Sequence, residues 1–313
     1  MPFRMLFLVN LMLASFSYAT QIVLNANNVL PAGDEFANID WNHHRFIAPG
    51  ETDFRSPCPG MNTLANHGFI PRDGTDLTIP MVLKAVDVVY NNPVDPVLNL
   101  ALKMALLTTD APDSFTLDDL KLLVEPWLVN KRSYMLYTLS RHGTIEHDAS
   151  LSRSDHALGD NLHFNATVFN STLLQSDLSP DVYDITSVGQ ILEERLAHAK
   201  KENPDLVNTV KERQSQLLEA SLFLSAMGDA RTGVAPKKFV DIFFREERLP
   251  LEEGWKRSPY PTNMTSLTKL MEQLDKASQT KGPWLPSSLF TCPWTRLQPE
   301  GPEMVWPPKF FQL

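Results

Sequence analysis

The chain has 313 residues, with 28 Lys and Arg against 37 Asp and Glu, a net charge of −9 and 43% apolar residues. This length and apolar fraction can fill the core of one large or two ordinary domains, and the acidic balance leaves no basic surface for a nucleic-acid backbone. Its two cysteines, Cys58 and Cys292, are too few for a disulfide scaffold or a zinc ribbon.

The first residues have the pattern of a secretory signal. Arg4 precedes an apolar run over residues 5–16, and Ser17 and Ala19 supply small residues where a signal peptidase cleaves. We therefore expect a signal peptide over residues 1–19 and a secreted, extracellular protein; the alternative interpretation is a buried N-terminal helix. The run is too short to cross a membrane, and no later stretch approaches the roughly 18 apolar residues that a crossing needs. We expect no membrane association.

Three N-x-S/T sequons agree with secretion. They begin at Asn165, Asn170 and Asn263, and none has proline at its middle position. If glycans are attached there, these asparagines lie at the surface of a secreted protein.

From residue 78 onward, apolar residues recur at helical spacing between Pro and Asp or Asn signals that end helices. Strand-like alternation is sparse, and residues 164–169 are the best candidate for a short hairpin arm. The pattern predicts a mainly α fold, with one compact helical domain over residues 20–313. The predicted helices cover residues 78–90, 97–107, 117–124, 184–200, 205–227, 236–248 and 264–277.

The C-terminal tail has a different composition. Residues 283–313 contain seven prolines and three tryptophans. Large aromatic side chains are costly to expose, so we expect this loop-rich tail to wrap around the helical core.

Cys58 lies between two prolines in the segment Ser56-Pro57-Cys58-Pro59. Proline suits the first position of a helix, so Cys58 is predicted to be the residue that caps a helix N-terminus. Unpaired backbone N–H groups there lower a thiol pKa and favour a thiolate, which can bind a metal. The alternative is a disulfide between Cys58 and Cys292, the usual state of two cysteines in an oxidising compartment.

A second polar stretch is Glu146-His147-Asp148-Ala149-Ser150. Glu146 and Ser150, with a backbone carbonyl between them, supply the oxygen ligands that a hard cation such as Mg²⁺ prefers. Asp148 could orient the imidazole of His147 and fix its tautomer. The alternative interpretation is a polar loop between two helices.

Together, these segments resemble the fungal chloroperoxidase and unspecific peroxygenase family of haem-thiolate enzymes. The resemblance covers about residues 40–260, with the segments in the family's order. The segments that carry it are Ser56–Pro59, Ala65–Gly74, Glu146–Ser150, Asp155–Asn165, Phe243–Pro250 and Glu253–Trp255. The Glu-His-Asp triplet is similar to the short-chain branch, since the long-chain branch carries Glu-Gly-Asp.

The resemblance implies two cofactors enclosed by the helical domain. Cys58 would be the proximal axial ligand of the iron in haem b. Glu146, the backbone carbonyl of His147 and the hydroxyl of Ser150 would hold Mg²⁺ near a haem propionate. These assignments follow from the resemblance, residue by residue.

The resemblance also implies a glutamate on a later helix, hydrogen-bonded to the histidine of Glu-His-Asp, as the acid–base group for peroxide. We assign this role to Glu219, with His147 and Asp148 as its orienting pair. On the helix predicted over 205–227, Glu219 shares a face with Leu222, Phe223 and Ala226. The competing carboxylates, which lie among charged neighbours and are predicted to be solvated, are Glu193, Glu194 and Glu212.

The resulting prediction is a secreted peroxygenase that uses H₂O₂ to insert oxygen into small organic substrates by C–H hydroxylation, epoxidation or aromatic oxidation. Peroxidase and halide-oxidising activities would accompany it. If Cys58 binds iron, Cys292 has no second cysteine in its own chain to pair with, which predicts a disulfide-linked homodimer. Two alternatives remain: a non-catalytic glycoprotein with Cys58 bridged to Cys292, and a secreted metal-dependent hydrolase. The hydrolase would use His142, His147, Asp155, His156 and His163.

Overall fold

The computed structural model of the chain describes residues 36–93, 114–117, 146–173 and 180–278. The predicted signal peptide, the helix predicted over 97–107 and the Pro- and Trp-rich tail with Cys292 lie outside the described residues. The same holds for His142 and for the helix predicted over 117–124, apart from its first residue.

The described residues form seven α-helices, one short 3₁₀ turn and one two-stranded sheet, which confirms the mainly α prediction. The helices are α1 (Pro59–Asn66), α2 (Ile79–Tyr90), α3 (Ala166–Thr172), α4 (Ile185–Glu202), α5 (Val210–Met227), α6 (Lys237–Arg245) and α7 (Met264–Ala277). The strands are β1 (Val182–Tyr183) and β2 (Ala235–Pro236), paired antiparallel with Tyr183 opposite Ala235. Within the described residues, no helix has the length and apolar character that a membrane crossing requires.

Three helices begin where the sequence predicts, because their first N–H groups find a partner in a nearby side chain. The Thr78 hydroxyl accepts a hydrogen bond at the start of α2. Asp184 and Asn263 form capping boxes with the serines three residues later, Ser187 and Ser266, at the starts of α4 and α7. These contacts are local in the chain and therefore visible in the sequence.

The helix predicted over 205–227 begins later, at Val210. The Glu212 carboxylate accepts hydrogen bonds from the backbone N–H and the hydroxyl of Thr209, at 2.8 and 2.5 Å, and so caps the helix at that point. The preceding turn is held elsewhere, since the Val207 N–H donates to the Asp148 carboxylate at 3.1 Å.

The hairpin arm predicted over 164–169 is wrong. Asn165 caps α3 instead, because its side-chain oxygen accepts hydrogen bonds from the N–H groups of Thr167 and Val168. The helix predicted over 236–248 also ends early, at Arg245, and Glu247 two residues later has a left-handed φ of +48°.

Helix α7 packs against both α4 and α5, and the three helices carry much of the buried apolar cluster. The approach of α4 to α7 depends on Gly189, since a Cβ at this position would lie 2.7 Å from the Cβ of Ala277. Helix α6 packs against both α1 and α5. The core thereby connects the helix that begins at Cys58 with the helix that carries Glu219.

Candidate active site

Cys58 is the residue immediately before α1, with extended backbone angles, and Pro59 occupies the first turn. Its side chain is a free thiol, exposed to solvent. The backbone N–H of Cys58 donates to the Ser56 hydroxyl at 3.2 Å. The predicted position of Cys58 at a helix N-terminus is therefore confirmed, and the structure does not favour the disulfide alternative.

The predicted lowering of the Cys58 pKa is wrong for the free thiol. Burial raises the pKa of the thiol, and the negative charge of Glu219 raises it further. Hydrogen bonds from the N–H groups of Met61 and Gly60 lower the pKa as expected, but they do not outweigh burial. The sulfur is thus accessible to solvent and also closely surrounded by protein atoms. A metal ion that binds it displaces the proton.

The N-terminus of α1 is supported from behind by two aromatic side chains. The Tyr90 hydroxyl donates a hydrogen bond to the backbone oxygen of Gly60 at 3.0 Å. A Cβ at Gly60 would lie 3.8 Å from both the Cys58 sulfur and the Phe243 ring. Tyr90 and Phe243 meet edge to face, with 6.4 Å between ring centroids. This packing fixes the turn that presents the sulfur.

The structure brings His147 and Glu219 together. The Nε2 atom of His147 lies 3.1 Å from Oε1 of Glu219, and the two side chains are 2% and 51% exposed. The ring N–H is not directed at this oxygen, so the contact is an ion pair by distance rather than a well-formed hydrogen bond. Burial lowers the pKa of His147, but the charge of Glu219 and the Asp148 carbonyl outweigh it and raise that pKa to about 9.

Glu219 is half exposed, while Phe223 on the same face of α5 is buried. Its charge raises the pKa of the Cys58 thiol, so the carboxylate and the sulfur lie within electrostatic range of each other. The predicted solvation of the competing Glu212 is wrong, because that side chain is fully buried and caps α5.

Asp148 orients the imidazole through its backbone carbonyl rather than through the carboxylate predicted for this role. The Nδ1 atom of His147 lies 2.8 Å from that carbonyl oxygen. The carboxylate itself accepts hydrogen bonds from the N–H groups of His156 and Val207, both at 3.1 Å, and from the amide of Asn203 at 3.3 Å. It therefore anchors the chain segment between α4 and α5.

Glu146 and Ser150 flank one tight turn, in which Ala149 has a left-handed φ of +58°. Both side chains are half-buried. The turn is fixed from behind, since Asp155 accepts the Ala149 N–H at 2.9 Å and pairs with Arg195 at 2.5 Å. The described residues contain no group of three or more His, Cys, Asp or Glu side chains that could hold a metal ion. The turn instead offers one carboxylate, one hydroxyl and backbone oxygens, which are hard donors.

The hydrolase alternative is not favoured, because the described residues that it would use are engaged in separate contacts and do not form one site. Asp155 is paired with Arg195, and His163 contacts Asp160 at the surface at 2.6 Å. His147 is engaged by Glu219, and His156 is exposed.

The three sequon asparagines lie at or near the surface. Asn165 and Asn263 are half-buried and cap α3 and α7 with their side-chain oxygens, and Asn170 is exposed.

The sequence analysis did not identify Asn62, Arg153 and Glu247, which connect the cysteine turn with the Glu146–Ser150 turn. Glu247 Oε1 accepts hydrogen bonds from Asn62 at 2.9 Å and from Arg153 at 2.6 Å. Glu247 lies in one of the segments that carry the family resemblance. Its partners, however, are 185 and 94 residues away along the chain, so no local pattern reveals the contacts.

A helical fold with a free cysteine at a helix N-terminus, within electrostatic range of a glutamate–histidine pair, is compatible with a haem-thiolate protein. The chain matches the model of peroxidase family 2 over residues 44–260, which is more than half of its length. The chain therefore belongs to peroxidase family 2, and this membership implies haem iron as its cofactor. Cys58 fits that group, because its sulfur is free, accessible and followed by helix N–H groups.

The chain is also similar to curated fungal proteins. It is 26% identical over 241 residues to the aromatic peroxygenase of Cyclocybe aegerita, covering 72% of this chain and 60% of that protein. It is 26% identical over 223 residues to the aromatic peroxygenase of Coprinellus radians, covering 67% and 80%. Over 148 residues it is 34% identical to the chloroperoxidase of Leptoxyphium fumago, covering 43% and 35%. The match thus spans less than two thirds of the first and the third of these relatives.

Proposed function

We propose that the protein is a secreted haem-thiolate peroxygenase that uses H₂O₂ to insert oxygen into small organic substrates. One observation carries the proposal: the free Cys58 sulfur lies within electrostatic range of the exposed Glu219 carboxylate, which is paired with His147. A peroxide-using haem enzyme needs these two functions together, an anionic sulfur ligand and a group that moves a proton.

Cys58 would hold the haem iron through its sulfur. When bound, the haem supplies the redox chemistry that cleaves peroxide and oxidises the substrate, and a thiolate ligand favours O–O cleavage. The N–H groups of Gly60 and Met61 stabilise negative charge on the sulfur. Tyr90 holds the Gly60 carbonyl and thereby keeps these N–H groups in place.

Glu219 would serve as the acid–base group. Its exposed carboxylate takes the proton from one peroxide oxygen and returns it to the other, so that water can leave. His147 lies 3.1 Å away, and its raised pKa of about 9 keeps it cationic at neutral pH. The cationic ring holds the Glu219 carboxylate in position as the proton acceptor.

Glu146, the backbone carbonyl of His147 and the Ser150 hydroxyl would hold Mg²⁺. The set consists of hard oxygen donors on one turn, which matches the preference of this ion. A cation there would offset negative charge on a haem carboxylate. Metal analysis tests this: one Mg²⁺ per haem is expected in the purified protein, and a Glu146→Gln variant should lose it while keeping its iron.

The proposed substrates are small organic molecules, including aromatic compounds. Leu222 and Ala226 lie on the Glu219 face of α5 and are half-buried, which gives the acid–base group apolar neighbours. Two relatives are named as aromatic peroxygenases, which agrees with apolar substrates. Peroxidase and halide-oxidising activities remain expected side reactions, since one relative is named as a chloroperoxidase.

The absorbance spectrum of the purified protein tests the proposal directly. Dithionite and CO should give the red-shifted band of a thiolate-ligated haem, and H₂O₂ should drive oxygen incorporation into a small aromatic substrate. A colourless protein, or a haem protein whose reduced CO complex lacks that band, would contradict the proposal.

Secretion and a homodimer linked through Cys292 are proposed as well. N-terminal sequencing of protein from the culture medium should give a mature chain that begins near residue 20. Non-reducing electrophoresis should give a dimer that a Cys292→Ser variant does not form; a monomer in both samples would contradict the dimer and leave the haem assignment intact.

A further inference from the structure

Asn62, on the first turns of α1, binds the segment that carries Cys58. Its side-chain oxygen accepts hydrogen bonds from the N–H and the hydroxyl of Ser56, at 2.9 and 3.1 Å. Its amide nitrogen donates to the Ser56 carbonyl at 2.8 Å. Because the amide holds both backbone polar groups of Ser56, the turn that leads to Cys58 has one position relative to α1.

The remaining N–H of the Asn62 amide donates to Glu247 Oε1 at 2.9 Å. The Asn62 side chain thereby uses both of its donors and both lone pairs of its oxygen. Glu247 thus completes the set of hydrogen bonds that orients this amide. Without that acceptor, a buried N–H group would lose its partner, which weakens the set.

Glu247 contacts α1 a second time, through its backbone. Its carbonyl oxygen accepts a hydrogen bond from the side chain of Asn66 at 3.0 Å. Asn62 and Asn66 are four residues apart and lie on one face of α1. Glu247 also adopts a left-handed φ of +48°, which is unfavourable for a residue with a Cβ and persists only where the surroundings impose it. Its position is therefore determined by these contacts.

The same carboxylate oxygen accepts a hydrogen bond from Arg153 at 2.6 Å. Arg153 is 3% exposed and belongs to the loop that follows Ser150. Its other nitrogens bind the Leu162 carbonyl at 3.2 Å and the Ser152 hydroxyl at 2.9 Å. Glu247 therefore supplies the counter-charge for a buried guanidinium and joins that loop to the cysteine turn.

We propose that Glu247 is a positioning residue for Cys58, which acts through Asn62 and fixes the sulfur relative to the Glu146–Ser150 turn. The inference rests on the proposed function, since it assigns Glu247 to support the iron ligand of that site. Groups that orient a metal ligand contribute to the strength of the metal bond without touching the metal. Glu247 would orient Cys58 in this indirect way, through Asn62 and Ser56.

The test uses the haem-loaded protein and three variants. Glu247→Ala removes the acceptor, and Glu247→Gln keeps an oxygen but removes the charge that Arg153 needs. Glu246→Ala is the matched control, because this neighbouring carboxylate is half exposed and pairs with Arg248 instead. Two quantities are measured well below the melting temperature: the rate of haem transfer to excess apomyoglobin, and the fraction of the reduced CO complex in the red-shifted band.

We expect Glu247→Ala to speed haem loss by about tenfold and to lower the fraction in the red-shifted band. Glu247→Gln should show a smaller change in the same direction, and Glu246→Ala should behave as the wild type. If the alanine variant does not fold, the glutamine variant decides. If the folded Glu247 variants lose haem at the wild-type rate and keep the wild-type fraction in the red-shifted band, the proposal is overturned.

A double-mutant cycle tests the route through Asn62. Because both side chains act on the same turn, Asn62→Ala combined with Glu247→Ala should speed haem loss no more than the stronger single change. Multiplied effects would contradict an action through Asn62. A wild-type protein without the red-shifted band would overturn the proposed function itself, which is a separate outcome from unchanged Glu247 variants.

Discussion

The two sides of the candidate site differ in how the chain builds them. The cysteine side, residues 55–67, is one short segment in which amide and hydroxyl groups hold the turn before α1. The acid–base side combines the Glu146–Ser150 turn with Glu219 from α5, and the contact between them is an ion pair. As an iron ligand, the Cys58 sulfur would need a fixed position, which the hydrogen bonds of its turn supply. As the acid–base group, Glu219 would need a nearby positive charge, which His147 supplies.

The largest expected effect is on the cysteine side. Cys58→Ser removes the sulfur, so the reduced CO complex should lose its red-shifted band completely. The measurement is the absorbance spectrum with dithionite and CO, and Cys292→Ser is the control that should keep the band. A red-shifted band retained in Cys58→Ser would show that another residue binds the iron.

On the acid–base side, Glu219→Gln keeps the shape of the side chain but removes the proton acceptor. The rate of peroxide-driven oxidation should fall by about 10²- to 10⁴-fold, the usual contribution of acid–base catalysis, while the haem spectrum stays unchanged. Glu194→Gln on α4 is the matched control, since that carboxylate is exposed and contacts Gln190. Full activity in Glu219→Gln would move the role to another group.

A smaller effect is expected at His147, which contributes charge without carrying the proton. His147→Ala removes the cation 3.1 Å from Glu219 and should slow peroxide-driven oxidation by about tenfold. In a Glu219→Gln background the same change should add little, because the carboxylate it supports is gone. Independent effects in the double variant would show that His147 acts by another route.

The smallest effect concerns His67, which links the cysteine side to two neighbouring segments. Its Nδ1 atom lies 2.7 Å from the His44 carbonyl, and its Nε2 accepts the Leu249 N–H at 3.0 Å, an arrangement that only the neutral ring satisfies. Burial lowers the pKa of His67, and nearby arginines lower it further.

Because the folded His67 resists a proton that the unfolded chain accepts below about pH 6.5, the free energy of unfolding should decrease as pH falls below that value. For one proton the slope is at most about 1.4 kcal/mol per pH unit. Denaturant titrations of His67→Gln should give a shallower decrease than the wild type, measured against His156→Gln at an exposed histidine. Equal slopes in all three proteins would contradict the assignment.

What the sequence predicted well depends on contacts that are short along the chain. Pro59 fixes Cys58 at a helix N-terminus, and Thr78, Asp184 and Asn263 cap helices within three residues. The hairpin arm predicted over residues 164–169 is wrong, because that prediction relied on alternating side chains and did not consider Asn165 as a helix cap.

Residues whose roles depend on distant contacts could not be predicted in this way. The Asp148 carboxylate binds the chain before α5, so it does not orient the His147 ring as its position in the sequence indicated. Glu212 is charged and lies among charged residues, and its burial depends on tertiary packing and on its contact with Thr209. The Glu247 carboxylate binds Asn62 and Arg153, which are 185 and 94 residues away along the chain. In each case, tertiary packing decides which polar group meets which.

Helix α1 has a consequence for any attempt to engineer the proposed oxidation. Six consecutive residues, Met61–Asn66, are buried, so every face of this short helix is in contact with the rest of the fold. Mutagenesis libraries placed there would sample mainly loss of structure. Leu222 and Ala226, which are half-buried beside Glu219, are better positions for engineering substrate preference, because their side chains can change size with less disturbance to the core.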